Sequence, residues 1–179
     1  MRKIVVIASL TLIMAAGIAS GQEKAGGYKG IGARIGYVAP PSDGWEGTVG
    51  FDVLGDLRIK PNVMIEPGVR YFSAEPKQTI SLDGSFKDFQ IFANAKYLLG
   101  KPKSSFEPYL GAGVGLHFVT VKNAGFADVD ETKFGLNLVG GGYFNVSPSI
   151  KLNVEAGYAI VSDMNHFTLM AGAVFALGG

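Results

Sequence analysis

The sequence predicts an all-β chain, a closed, up-and-down antiparallel transmembrane β-barrel of eight strands. Three observations predict it. Apolar residues recur with period two along successive segments. The face opposite them carries glycine and charges of both signs. The one long continuous apolar run lies at the N-terminus, so any membrane crossing further along must use strands rather than a helix.

Composition bounds the alternatives. The chain has 179 residues, enough for one domain, and its 16 Lys+Arg are nearly balanced by 15 Asp+Glu. That balance argues against a nucleic-acid partner. Cysteine is absent, which excludes disulfides, thiolate metal ligands and an acylated-cysteine anchor.

The N-terminus reads as a leader rather than as part of the fold. Met1-Arg2-Lys3 is followed by an apolar run from Ile4 to about Ile18 and then by Ala19-Ser20-Gly21. A basic start, a short apolar core and small residues at its exit make a secretory signal peptide. The run is shorter than the ~20 residues a membrane-spanning helix needs. Cleavage is expected after Gly21, with Ala19 as the other site. Residues 1–21 are then the leader and 22–179 the barrel domain.

The strands follow in order. They are read as Tyr28–Val38, Glu46–Asp56, Asn62–Ser73, Phe86–Leu99, Glu107–Val121, Thr132–Asn145, Ile150–Ile160 and His166–Leu177. Each meets the ~9–11 residues a tilted strand needs to cross a bilayer. In the first, Ile31, Ala33, Ile35 and Tyr37 alternate with Gly30, Gly32, Arg34 and Gly36. In the second, Val49, Phe51 and Val53 oppose Gly50 and Asp52; in the third, Val63, Ile65, Val69 and Tyr71 oppose Glu66, Gly68 and Arg70. The fourth sets Phe89, Ile91, Ala93, Ala95 and Tyr97 against Asp88, Gln90, Asn94 and Lys96. The fifth sets Leu110, Ala112, Val114, Leu116 and Phe118 against three glycines and His117; the sixth sets Phe134, Leu136 and Leu138 against Lys133, Gly135 and Asn137. The seventh sets Ile150, Leu152, Val154, Ala156 and Tyr158 against Lys151, Asn153, Glu155 and Gly157. The eighth sets Phe167, Leu169, Ala171, Ala173 and Phe175 against His166, Thr168 and Gly172.

Such alternation suits a soluble sheet with an apolar core or a membrane barrel with its apolar face on lipid. Three features favour lipid. Glycine crowds the polar face, as a narrow lumen requires. The charges there have mixed sign and can pair inside. Aromatics stand near strand ends (Tyr37, Tyr71, Phe86, Tyr97, Tyr109, Phe118, Phe134, Phe144, Tyr158, Phe167 and Phe175), as two interfacial girdles would. The links around Leu57–Pro61, Gly100–Phe106 and Val146–Ser149 each contain proline and read as periplasmic turns. The links Ala39–Trp45, Ala74–Ser85, Lys122–Glu131 and Val161–Asn165 read as outer loops. Closure follows because unpaired edge groups cost several kcal/mol each in lipid. Eight strands leave an interior that side chains can fill, so a plugged lumen is expected.

Glu107-Pro108-Tyr109-Leu110-Gly111-Ala112-Gly113-Val114-Gly115 and the closing Phe167-Thr168-Leu169-Met170-Ala171-Gly172-Ala173-Val174-Phe175 are the most telling stretches. They resemble the fifth and last strands of the small outer-membrane β-barrels that include the OmpA transmembrane domain, OmpX-like and opacity-type proteins. The resemblance spans the mature chain. It implies an outer-membrane location and recognition by the outer-membrane assembly machinery through a terminal aromatic. Here that aromatic, Phe175, is followed by four more residues, Ala176–Gly179.

Candidate chemistry is sparse. Gly111–Gly115 lacks the helix that a phosphate loop needs and reads as small lumen residues. His117 and His166 read as lumen histidines in hydrogen-bond networks. Some small outer-membrane barrels deacylate lipid A with a His-x-Ser pair. His117 is followed by Phe118-Val119, and His166-Phe167 only by Thr168, so no nucleophile and base are paired. No catalytic, metal or cofactor site is assigned. Arg34, Glu66, Arg70, Lys96, Lys151 and Glu155 are assigned to a structural charge network in the lumen. Trp45 and Phe126 fall in outer loops. The expected partners are outer-membrane lipid, the assembly machinery during biogenesis and an unidentified ligand at the outer loops. The expected function is a non-enzymatic barrel with a structural or surface-interaction role. The other readings are a narrow porin-like channel and a soluble, periplasmic, lipocalin-like barrel.

Overall fold

The computed structural model describes residues 29–40, 44–77, 84–101, 104–123 and 128–177. The leader, Tyr28 and Phe126 lie outside them. Eight strands follow one another: β1 (Lys29–Ala39), β2 (Thr48–Lys60), β3 (Val63–Ala74), β4 (Gly84–Leu98), β5 (Phe106–Asn123), β6 (Val129–Ser147), β7 (Ile150–Val161) and β8 (His166–Ala176). Each pairs antiparallel with its sequence neighbours, and β8 pairs with β1, so the sheet closes without an edge. At 18 and 19 residues, β5 and β6 exceed what a crossing needs, so their outer ends rise above the membrane.

The turns follow from proline and bulges. β2 runs past the expected end at Asp56 to Lys60, because Leu57–Lys60 offer no chain breaker before Pro61. The hairpin then turns through Pro61-Asn62, beside a register shift between Arg58 and Lys60. A matching shift between Asn145 and Ser147 precedes the turn at Pro148-Ser149. Inside β3, Pro67 has no N–H to give, and the β2–β3 pairing lapses opposite it, at Gly55 and Asp56.

The two faces divide as a membrane barrel requires. Ile35, Phe51, Leu110, Phe134, Leu136 and Leu152 all point outward and are exposed. Such a belt would be untenable in water but is satisfied by acyl chains. A soluble lipocalin-like barrel would hide these residues in a dry centre, so that reading is excluded. Arg34, Asp52, Glu66, Asp88, Lys96 and Glu155 point inward and are buried.

Two expectations need correction. The inward face is not only glycine and polar groups. It also carries a cluster of Val38, Phe72, Ala74, Phe86, Val119, Ala159, Val161 and Met164 near the outer end. A second cluster of Leu54, Met64, Phe92, Leu98, Tyr109, Val139, Tyr143 and Val174 packs among the buried polar groups further in. Phe86 and Tyr109, expected in the lipid girdles, therefore belong to the lumen, 3% and 1% exposed. Their place in the inward parity of β4 and β5 overrides their nearness to strand ends.

Candidate functional site

The inward positions of adjacent strands lie opposite one another, and this brings the charges together. Arg34 on β1 faces Asp52 on β2, and Asp52 faces Arg70 on β3. Asp52 thus joins two arginines. Arg34 lies 2.8 Å from its Oδ2, and the Arg70 Nε donates to its Oδ1 at 2.7 Å. Arg34 also reaches Glu66 at 3.3 Å and Glu155, across the lumen on β7, at 2.8 Å. Lys96 on β4 completes the layer by pairing with Glu66 and lying 2.6 Å from Glu155. Three cations (Arg34, Arg70, Lys96) meet three carboxylates (Asp52, Glu66, Glu155), so the layer is neutral as a whole.

Neutral donors and acceptors fill the gaps. Asn94 donates to Glu66 at 3.2 Å, and Tyr109 donates to Glu155 at 2.8 Å. Asn153 accepts from Arg34 at 3.1 Å and donates to Tyr109 at 2.9 Å. The Lys96 ammonium also stands 4.3 Å from the centre of the Tyr109 ring. Buried charges are tolerable only when paired and hydrogen-bonded in this way.

Five of the six residues assigned from sequence (Arg34, Glu66, Arg70, Lys96 and Glu155) meet in this layer. Lys151 does not. It sits towards the inner end, 3.1 Å from Glu107, which also binds Arg58 at 2.9 Å. Asp52, on the lumen face of β2 but not among those six, joins the layer as well. The β1–β2 and β2–β3 hairpin registers, which set Asp52 opposite both Arg34 and Arg70, are the signal that marks it. Arg58 and Glu107 lie at strand ends, where alternation alone carries no signal. Lys133 is also outside the layer, bound at the outer rim to Glu131 at 3.0 Å and to the Ser162 carbonyl at 3.3 Å.

Towards the outer end, His117 bonds to Asp88 at 2.8 Å and meets His166 edge-to-face, ring centres 5.6 Å apart. His166 packs on Phe72 of the outer apolar cluster. Trp45, predicted in an outer loop, bridges to Pro76 in the next loop and packs on Phe86, so it helps close the mouth. Among the described residues, no three His, Cys, Asp or Glu side chains are grouped to hold a metal ion. The lumen is therefore layered from outside inward as an apolar cluster, a histidine–aspartate pair, a neutral ionic layer, and the Arg58–Glu107–Lys151 group.

Solved structures similar to this chain include outer-membrane barrels. Neisserial surface protein A is 24% identical, covering 86% of this chain and 98% of its own, with a TM-score of 0.63. Ail, the attachment invasion locus protein of Yersinia pestis, is 17% identical over 84% of this chain and 99% of its own, with a TM-score of 0.62. The N-terminal β-barrel domain of Pseudomonas aeruginosa OprF is 12% identical over 84% of this chain and 99% of its own, with a TM-score of 0.58. At these identities the likeness is one of fold. No curated protein matches the sequence. The family model of the outer membrane protein beta-barrel domain matches residues 5–175. With its closed eight-strand sheet, oily exterior and charged interior, the chain belongs to the outer membrane protein beta-barrel domain family and resides in the outer membrane.

Proposed function

We propose that the protein is a non-enzymatic structural barrel whose lumen is sealed by its own side chains, leaving the outer loops to meet any ligand from outside the cell. The observation that carries this reading is the neutral six-residue ionic layer, with Arg34 reaching from β1 to Glu155 on β7. A water path would have to break ion pairs that are fully desolvated, and an uncompensated buried charge costs ~3–5 kcal/mol.

Two further observations support it. The His117 and His166 rings are buried, and among the described residues neither hydrogen-bonds a serine or threonine hydroxyl. A base without a nucleophile, walled off from lipid and water, has no route to an acyl ester. Ail has been solved with the heparin analogue sucrose octasulfate. A polyanion is a poor fit to this chain, whose described outer rim sets Glu46, Glu75, Asp128, Asp130, Glu131 and Asp163 against Lys77, Lys87, Lys122 and Lys133. Phe175, exposed on the lipid face of β8, is the aromatic that the assembly machinery would read.

Conductance of the purified barrel in a planar bilayer tests the seal. The expected record is silent across the physiological voltage range. Reproducible single-channel steps from folded, monodisperse protein would replace this reading with that of a narrow channel.

A further inference from the structure

The two rims of the barrel differ in charge. Short turns mark the periplasmic end, where Pro61-Asn62, Pro148-Ser149 and the described residues 99–101 and 104–105 lie. Among the described residues at this end, the only acids are Asp56 and Glu107, and they are 0% and 1% exposed. The Asp56 carboxylate accepts from Tyr143 at 3.1 Å, and Glu107 is held between Arg58 and Lys151. Among the described residues at this end, the exposed charged side chains are Lys60 and Lys101, with Lys29 partly exposed beside them. The outer rim, in contrast, presents six exposed carboxylates.

These lysines do not stand on a surface facing open solvent. Lys60 follows Ile59, which is 57% exposed, and Lys101 lies two residues beyond Leu99, exposed to the same extent. Phe106 and Phe144, with rings 4.7 Å apart, are exposed on the same lipid-facing wall. Apolar side chains in the acyl region with ammonium groups just beyond them are the arrangement of lysines that snorkel to a headgroup layer. The basic rim is thus continuous with the lipid interface of the barrel.

We infer that the periplasmic rim of this barrel preferentially binds anionic phospholipid headgroups of the inner leaflet through Lys60 and Lys101. The phosphodiester supplies the negative charge that the protein does not present at this end. The acyl chains pack on Ile59, Leu99 and the Phe106–Phe144 pair. This rests on the barrel's placement in the membrane and not on its lumen being sealed, so conductance and lipid preference are independent readouts.

The test reconstitutes the mature barrel in phosphatidylcholine bilayers containing spin-labelled phosphatidylglycerol or spin-labelled phosphatidylcholine. The ratio of their association with the protein is then read. Electrostatic attraction to an anionic surface sets a ceiling of about fivefold per lysine. The expected ratio exceeds one at low salt, falls to one in K60Q/K101Q, and falls likewise for the unmodified protein in 1 M salt, where the Debye length shrinks to ~3 Å. The outer-rim variant K77Q/K122Q retains the preference. The salt measurement needs no substitution, so it stands even if a variant folds poorly. Equal association of both lipids with the unmodified barrel would overturn the inference, as would a preference that survives K60Q/K101Q or is lost in K77Q/K122Q. Lysine-dependent sedimentation with cell-wall sacculi, without lipid preference, would also overturn it and favour an anionic polymer.

Discussion

A charge in this protein matters according to where it lies, and Glu66 and Lys133 mark the two extremes. Glu66 is fully buried and holds Arg34, Lys96 and Asn94 together. Replacing it by leucine leaves two desolvated cations short of a partner. We expect Glu66→Leu to lower stability by ~3–5 kcal/mol without changing the strand count. Urea unfolding in detergent measures this, and an unchanged midpoint would count against the network. Lys133 pairs with Glu131 in solvent at the rim, where an ion pair is worth ~0–1 kcal/mol, so Lys133→Gln should barely move the same midpoint. The sequence distinguishes these residues poorly. Period-two alternation gives Lys133 the same inward parity as Gly135 and Asn137, but parity is blind to height along the axis. Height depends on where β5 and β6 leave the membrane, and no residue in that hairpin announces it. Arg34, Asp52 and Arg70 were legible as one face, and their contact needed only the registers of two hairpins.

The strands themselves were the most legible level, because each carries its own alternation and proline or polar residues break it. What local pattern could not give is the seam between β1 and β8, which joins residues more than a hundred positions apart. Three glycines, Gly32, Gly36 and Gly172, make that seam possible. A Cβ on Gly172 would run into the Ala33 carbonyl oxygen and lie 2.7 Å from the Arg34 Cα. Gly36 is held in the same way against Leu169 and Met170. Gly172 lies directly opposite Arg34, so the missing side chain also leaves room for the guanidinium to turn inward. Gly172→Ala should therefore cost ~1–3 kcal/mol, because backbone rather than a flexible side chain must give way. Gly140→Ala is the control, since its Cβ would meet chiefly the movable end of Leu110 at 3.1 Å and should be near neutral. The temperature at which the folded band converts to the unfolded band on a semi-denaturing gel reads both. Equal shifts would mean that the β1–β8 contact carries no special constraint.

The lumen works as layers in series, and this is a property of the whole molecule rather than of any strand. The outer apolar cluster draws Val38 from β1, Phe72 and Ala74 from β3, Phe86 from β4 and Val161 from β7. It therefore forms only once the barrel has closed. Sequence reading missed it because inward apolar residues at strand ends look like breaks in the polar face, whereas together they make a lid over His117 and His166. The lid and the ionic layer make separable contributions. Truncating a buried phenylalanine costs ~3–5 kcal/mol from lost transfer energy and the cavity left behind. Phe72→Ala removes the ring that stacks on Phe86 at 5.9 Å and packs at a tilt on His166 at 5.4 Å, so it should lower the unfolding free energy by that amount. It should nevertheless leave planar bilayers silent, because the Arg34, Lys96, Glu66 and Glu155 contacts beneath it are untouched. Conductance steps in Phe72→Ala at unchanged ionic contacts would make the apolar lid the sole seal and the charged layer merely its support.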